Sequence, residues 1–348
     1  MARDVEATGA ALEGWLSDRV GAPVQVGDIS VPGLSGFSNE TLIFDARWDV
    51  DGRSVTRGLV IRVEPSSHQV LPSSQLDAQV RVLRAVAAAG SVPVPEVLWF
   101  EEDPSLLGDR FVVMARVDGD VPADNPSYHA EGWLSERDET AQAAVWNSGL
   151  DAMAAIHRLD HASTDLSWIT PREPAHQLEL DREYRAFVIG DRSLPVADRA
   201  LEVLSATVPP AVAVPAVCWG DSRIGNMIFA VDGSVAAVLD WEMVTAGDPV
   251  QDLAWYLLID RHHHEAFGVP RLSGLPDRVT SIERWERAAG RSADHLGWYE
   301  LLGALRYALV VSRVIELLDE TGVLPGGAAM ALDHPGTQLL GRLLEERT

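Results

Sequence analysis

Apolar residues at Leu12, Trp15 and Leu16 follow the i, i+3, i+4 spacing, so residues 4–17 predict a surface helix packed on a core. Val24 to Ile29 reads as a short strand. Thr41 to Trp48 alternates apolar with polar positions, the period of a strand buried on one face. Thr56 to Val63 is its expected hairpin partner through Asp51-Gly52, because Asp-Gly suits a turn with positive φ. A helix over Ser74 to Ala88 follows, with Leu76, Val80, Leu83 and Val86 or Ala87 as its apolar stripe. Val97 to Glu101 is a further strand, and Phe111 to Gly119 reads as another that ends in a glycine-containing connection.

The pattern changes after Asp118, where a lobe boundary is expected. Residues 119–135 are irregular and could be a lid or a connector. A long helix is expected over Glu136 to Leu159, capped by Ser135, with Asp138 adding favourable charge near its start. Glu179 to Ile189 and Ala197 to Ala206 predict two more helices, and Pro209, Pro210 and Pro215 then break the chain. Met227 to Ala230 and Val235 to Leu239 are apolar β-type runs around Val231-Asp232-Gly233-Ser234, which predicts a second, shorter hairpin. Gly247-Asp248-Pro249 opens a helix, with Asp248 as its N-cap and Pro249 at its first position. Ser281 to Arg287, His295 to Leu318 and Gly336 to Glu346 are read as largely helical.

Composition narrows the chemistry. The 348 residues, 47% of them hydrophobic, suffice for a sizeable core and by length fit two lobes. No apolar run approaches the roughly 18 residues that span a bilayer, so no membrane partner is expected. Cys218 is the only cysteine, which rules out an internal disulfide and makes a reducing cytoplasm the simplest home. All 28 basic residues are arginine, and without lysine there is no Walker-type phosphate loop. The formal net charge of −24 repels nucleic acid. It would favour a cationic substrate, or it simply aids solubility, since the acids are spread along the chain. No stretch specifies an oligomeric state.

The candidate chemistry lies in Val217 to Trp255. Asp221 precedes the short hairpin, Asn226 stands at the mouth of one strand, and Asp240 stands at the end of the other. Three oxygen-bearing side chains therefore converge, an arrangement suited to phosphoryl transfer. One carboxylate orients the attacking hydroxyl and accepts its proton, while a carboxamide and a second carboxylate hold Mg²⁺ against the phosphates. Arg223, two residues past Asp221, either stabilises charge in the transition state or pairs with a nearby acid. His262, His263 and His264 point about 100° apart along a helix and are poor joint ligands for one metal. His157 reads as a packing residue.

WGDSRIGNMIF followed by VLDWEMVTAGDPVQDLAW resembles the HGD-x-x-x-x-N loop and the D-W-E…G-D-P…D-L-A metal segment of the aminoglycoside phosphotransferase-like kinases, small-molecule relatives of protein kinases. The resemblance implies a two-lobed, protein-kinase-like α+β fold. Residues 1–117 would form an N-lobe of antiparallel sheet plus one helix, and residues 118–348 a mostly helical C-lobe, with ATP or GTP between them. It implies Asp221 as base and Asn226 with Asp240 as Mg²⁺ ligands. In Gly33 to Glu40, Ser38 and Asn39 would contact the β- and γ-phosphates. Arg62 would hold the α- and β-phosphates in place of the family's usual lysine, with Gln79 where a glutamate is usual. Glu64 or Asp77 is then a candidate counter-charge. Main-chain groups of Ala115 and Val117 would bind the base. Trp219 replaces the histidine before Gly-Asp and could fill its space with an indole N–H donor, and Asp252 would brace the loops. Arginine at position 62 resembles the branch found fused to acyl-CoA dehydrogenases. The acceptor implied is a small molecule bearing a hydroxyl. The three departures, Arg62, Gln79 and Trp219, support a second reading, a nucleotide-binding pseudokinase. A protein Ser/Thr kinase is disfavoured, because the chain lacks the Asp-Phe-Gly and Ala-Pro-Glu segments.

Overall fold

Alternation along residues 40–63 folds into a long hairpin. In the computed structural model, which describes residues 3–32, 40–64, 70, 76–162 and 164–347, β2 (Glu40–Val50) and β3 (Arg53–Val63) pair antiparallel from Glu40↔Val63 to Val50↔Arg53. Asp51 and Gly52 make the turn with φ of 51° and 75°, as Asp-Gly predicts. Leu42, Phe44 and Ala46 face inward from one strand, and Leu59, Ile61 and Val63 from the other. β1 (Val24–Val26) pairs with β2, and β5 (Phe111–Ala115) lies between β3 and β4 (Val97–Glu101). The sheet order is β1-β2-β3-β5-β4, antiparallel throughout.

Helix α1 (Val5–Val20) begins at Asp4, whose carboxylate accepts from the Ala7 N–H at 3.0 Å. It buries Leu12 and Leu16 in the sheet's core, each contributing about 2 kcal/mol by area. Trp15 stays half-buried and donates its indole N–H to Glu101 at 2.8 Å. The strand expected from Val24 to Ile29 is shorter, because pairing with β2 lapses after Gly27 and resumes only at Ser30 opposite Ile43. α2 (Leu76–Ala89) buries Leu76, Val80, Leu83 and Val86 as its stripe requires, and Gln79 with them.

The chain divides into two units. One comprises the residues up to Ala87 together with Val94–Asp118; the other comprises Ala88–Pro93 and everything from Gly119 onward. The second is built on helices α3 (Glu139–His157), α4 (Pro174–Ile189) and α5 (Pro195–Ala206), followed by the short strands β6 (Ala216–Cys218), β7 (Met227–Phe229), β8 (Val235–Val238) and β9 (Thr245–Gly247). Helices α6 (Val250–Glu265), α7 (Arg278–Ala289), α8 (Leu296–Glu320) and α9 (Pro335–Glu345) complete it. α4, α5, α6 and α9 pack against α8, which buries Leu301, Leu305, Ala308 and Leu309 among others. β6 pairs with β9, and β7 with β8.

Two expected caps are displaced. Asp138, not Ser135, caps α3, its carboxylate accepting from Ala141 N–H at 2.8 Å. Residues before it are held in a turn by Arg137 N–H to Leu134 C=O, and Ser135 donates to Gly132 instead. α6 starts at Val250, one residue later than expected, with Pro249 as its N-cap residue, yet Asp248 still accepts from Val250 N–H at 3.0 Å. Among the described residues no helix is long and apolar enough to cross a membrane.

Candidate active site

β6 delivers Trp219, Gly220 and Asp221 in succession, and the turn between them needs glycine. Gly220 has φ of 97°, and a Cβ there would meet the Met243 carbonyl oxygen at 2.2 Å. Buried Asp252, on α6, holds this turn from behind. It accepts from the backbone N–H of Trp219 at 2.6 Å and of Gly220 at 3.0 Å, and from His157 Nε2 at 3.0 Å. His157 Nδ1 accepts from the Trp285 indole at 2.9 Å, so the network assigns the His157 proton to Nε2. Ser222 donates to the Asp252 carbonyl at 2.7 Å. His157 is thus a strut between α7 and the turn, in keeping with its reading as a packing residue, and Asp252 is the brace.

Both Asp221 carboxylate oxygens are fixed. Trp255 Nε1 donates to Oδ1 at 2.8 Å, while Asn226 Nδ2 at 2.7 Å and Arg223 Nε at 3.2 Å donate to Oδ2. Asn226 sits on a 3₁₀ turn, Ile224–Asn226, at the start of β7. Its Nδ2 also reaches the Asp221 carbonyl at 3.1 Å, which leaves the carboxamide oxygen as the atom suited to a cation. Across the short hairpin, Leu239 N–H donates to the Asn226 carbonyl at 2.8 Å, so Asp240 follows immediately beyond Asn226's partner. Asp240 has φ of 53°, an uncommon left-handed conformation for a residue with a side chain.

The indole of Trp219 ties these two segments together. It is fully buried, and Nε1 donates to the carbonyls of Leu239 at 2.8 Å and Asp240 at 3.0 Å. The donor expected of residue 219 is therefore in place.

Arg223 lies between two acids. Besides Asp221 it binds Asp124 through Nη1, and His263 Nε2 lies 3.3 Å from the other Asp124 oxygen. Burial alone would raise the Asp124 carboxyl, but His263 and Arg223 outweigh it and hold it at about 2. Burial likewise opposes the Arg223 charge, and Asp221 with Asp124 more than restores it, so its pKa is raised. The irregular stretch after Asp118 is pinned to α6 at a second place, where Asp260 accepts from Tyr128 Oη at 2.8 Å and faces His129 Nε2 at 3.2 Å. The three histidines of α6 diverge: His263 meets Asp124, His262 packs on Tyr307, and His264 stands edge-on to His129.

The remaining candidates belong to the first unit. Arg62 stands on β3 opposite Thr41 and Val112, and Gln79 is buried on α2. The acids weighed as counter-charges to Arg62 both meet Arg110: Glu64 bidentately at 2.6 and 2.8 Å, Asp77 at 3.8 Å. Ala115 ends β5 with its N–H on the Glu96 carbonyl at 2.9 Å, and Val117 follows, half-buried. Ser38 and Asn39 lie outside the described residues. Asp124 and Trp255 escaped the sequence reading as partners of the site. Asp124 has no periodic neighbours to mark it, and Trp255 reads as one more apolar residue of α6.

Residues 35–291 match the sequence pattern of the phosphotransferase enzyme family, APH. The chain belongs to this family. A mouse relative, acyl-CoA dehydrogenase family member 10, is 32% identical over 236 residues, which are 66% of this chain and 21% of that protein. The chain spans between 21% and 40% of the length of the curated relatives it matches. Among solved structures, a Ralstonia eutropha JMP134 protein assigned by name to the aminoglycoside phosphotransferases superposes with TM-score 0.70 at 23% identity, covering 97% of this chain and 98% of that one. A thermostable mutant of aminoglycoside phosphotransferase APH(4)-Ia, in ternary complex with ADP and hygromycin B, gives TM-score 0.59 at 20% identity over 96% of this chain and 98% of that one. The APH protein has the kinase-like α+β fold expected of it.

Proposed function

We propose that this APH protein transfers the γ-phosphoryl group of ATP or GTP to a hydroxyl of a small molecule, with Asp221 as the base. The observation that carries the reading is the fixed Asp221 carboxylate, braced from Trp255 and Asn226 on a turn that Asp252 holds rigid. A positioned carboxylate needs only to orient the hydroxyl and take its proton late, because phosphoryl transfer depends chiefly on alignment and charge stabilisation.

The Asn226 carboxamide oxygen and the Asp240 carboxylate would hold Mg²⁺. They suit it, being hard oxygen donors too few to strip the ion of its waters. When bound, Mg²⁺ supplies neutralisation of the phosphate charge. Arg62, helped by Gln79, would hold the α- and β-phosphates, Ser38 and Asn39 would cover them, and the main chain of Ala115 and Val117 would take the base. Residues 1–117 are thereby assigned to the nucleotide, and residues 118–348 to metal, chemistry and acceptor. The ADP and hygromycin B bound by APH(4)-Ia support a nucleotide donor and a small-molecule acceptor. The formal charge of −24 favours a cationic one.

The test is transfer of label from γ-labelled Mg·ATP and Mg·GTP to a panel of hydroxyl-bearing small molecules. Labelled product that Asp221→Asn lowers about 10²- to 10⁴-fold, with nucleotide binding retained, is the expected result. Tight nucleotide binding without product from any acceptor, and with Asp221→Asn indistinguishable from wild type, would favour the pseudokinase reading.

A further inference from the structure

Arg223 is placed where it could disable the residue beside it. An arginine two residues from a carboxylate can close on it through two parallel N–H···O bonds, the preferred geometry of that pair. Such a fork would occupy the Asp221 oxygens that an acceptor hydroxyl must reach. Yet Arg223 gives Asp221 only Nε, at 3.2 Å; Nη2, the nitrogen that would close the fork beside Nε, stays off Asp221, while Nη1 on the far side of the guanidinium is held by Asp124. Among the described residues Nη2 takes no partner.

Two further features flank this pair. His263, itself 6% exposed, approaches the second Asp124 oxygen from α6 to 3.3 Å, an ion-pair distance. Gly225 opens the passage: a Cβ at residue 225 would lie 2.5 Å from Arg223 Nη1 and 2.6 Å from Asp124 Oδ1. No left-handed backbone demands glycine there, so the demand is for space.

We propose that Asp124 is a positioning residue that holds Arg223 off Asp221, with Gly225 as the gap that admits the pair. The catalytic consequence rests on Asp221 being the base; the placement of Arg223 does not. Asp124 holds the guanidinium and leaves Asp221 a single charge-assisted bond in place of a fork.

Two readouts separate this inference from the proposed function. The first needs no turnover: a crystal structure of Asp124→Asn should show Nε and an Nη of Arg223 both on Asp221. Arg223 in its wild-type position in that variant would overturn the proposal. The second is hydrolysis of Mg·ATP and Mg·GTP with water as acceptor. Asp124→Asn should lower kcat about 10²-fold while leaving the nucleotide KM nearly unchanged. Gly225→Ala, which removes no charge, should fall in the same direction. Adding Arg223→Ala to Asp124→Asn should restore part of the lost rate, because the blocking group is gone. A double variant slower than Asp124→Asn would overturn the account, since a merely structural or additive role predicts no rescue. The crystal structure decides the placement of Arg223 whether or not the wild type hydrolyses nucleotide with water as acceptor.

Discussion

The protein contains two hairpins held by different means. β2–β3 runs over eleven paired positions, and its inward residues alone would fix the register, because a slip by one would turn Leu42, Phe44 and Ala46 to solvent. β7–β8 pairs only Met227↔Val238, Ile228↔Ala237 and Phe229↔Val235, with a register shift among them. Such a short pair is not self-supporting. Its strands bury Met227, Phe229, Ala237 and Val238, and its neighbourhood is ordered in addition by polar groups: the Trp219 indole on two carbonyls, the Asp252 carboxylate on two backbone N–H groups, and Asn226 on Asp221. Apolar packing tolerates small adjustment; a buried acceptor serving several donors does not. The site is therefore the stiff and vulnerable part, and the sheet the forgiving one.

Removing the brace should cost most. Asp252→Ala leaves the Trp219 and Gly220 N–H groups and His157 Nε2 without their buried acceptor, and denaturant unfolding should show a loss of about 3–5 kcal/mol. A loss under about 1 kcal/mol would break the comparison. Next comes the sheet: Ile61→Ala should cost about 3 kcal/mol in the same measurement but leave Mg·nucleotide hydrolysis per folded molecule unchanged. A parallel fall in that rate would erase the distinction between the two regions.

Gly220→Ala should cost about 2 kcal/mol, from a φ of 97° and the close Met243 carbonyl, and should lower the rate as well. The smallest effect is set by pH. Burial holds His262 and His334 down at about 4, and His334 must stay neutral to accept the Gly336 N–H at the start of α9. The unfolded chain binds these protons first as pH falls below about 6.5, so stability is complete above that value and declines toward 4. Between pH 6.5 and 5.5 each histidine should cost about 1 kcal/mol, and a His334→Asn variant should show a shallower slope. An equally steep slope in that variant would remove His334 from the account.

The same contrast governs what the sequence revealed. The β2–β3 hairpin, its Asp-Gly turn and the α2 stripe are legible because each is a local period of apolar residues. Asp221, Asn226 and the hairpin between Asn226 and Asp240 were legible because spacing and turn chemistry coincide over some twenty residues. Asp124 was not, since its partner Arg223 lies 99 residues away and no period joins them. Trp255 hid for the opposite reason: its indole serves Asp221 while its ring fits the apolar pattern of α6. Caps fell in between. Ser135 and Asp138 are both competent cap residues, and the turn from Gly132 to Arg137 selects the second. Trp219 is the instructive substitution, because an indole N–H reaches two carbonyls from a position where a histidine is usual in the family.

The proposed Mg·nucleotide site is completed by Asp240. Its most direct test is thermal unfolding with Mg·ATP and with Mg·GTP, each repeated with EDTA, on wild type and Asp240→Ala. Nucleotide at 100 times its dissociation constant should stabilise the wild type by about 2.7 kcal/mol, and chelation or the substitution should remove most of that shift. No shift with either nucleotide in a folded wild type, or an undiminished shift in Asp240→Ala, would contradict the account.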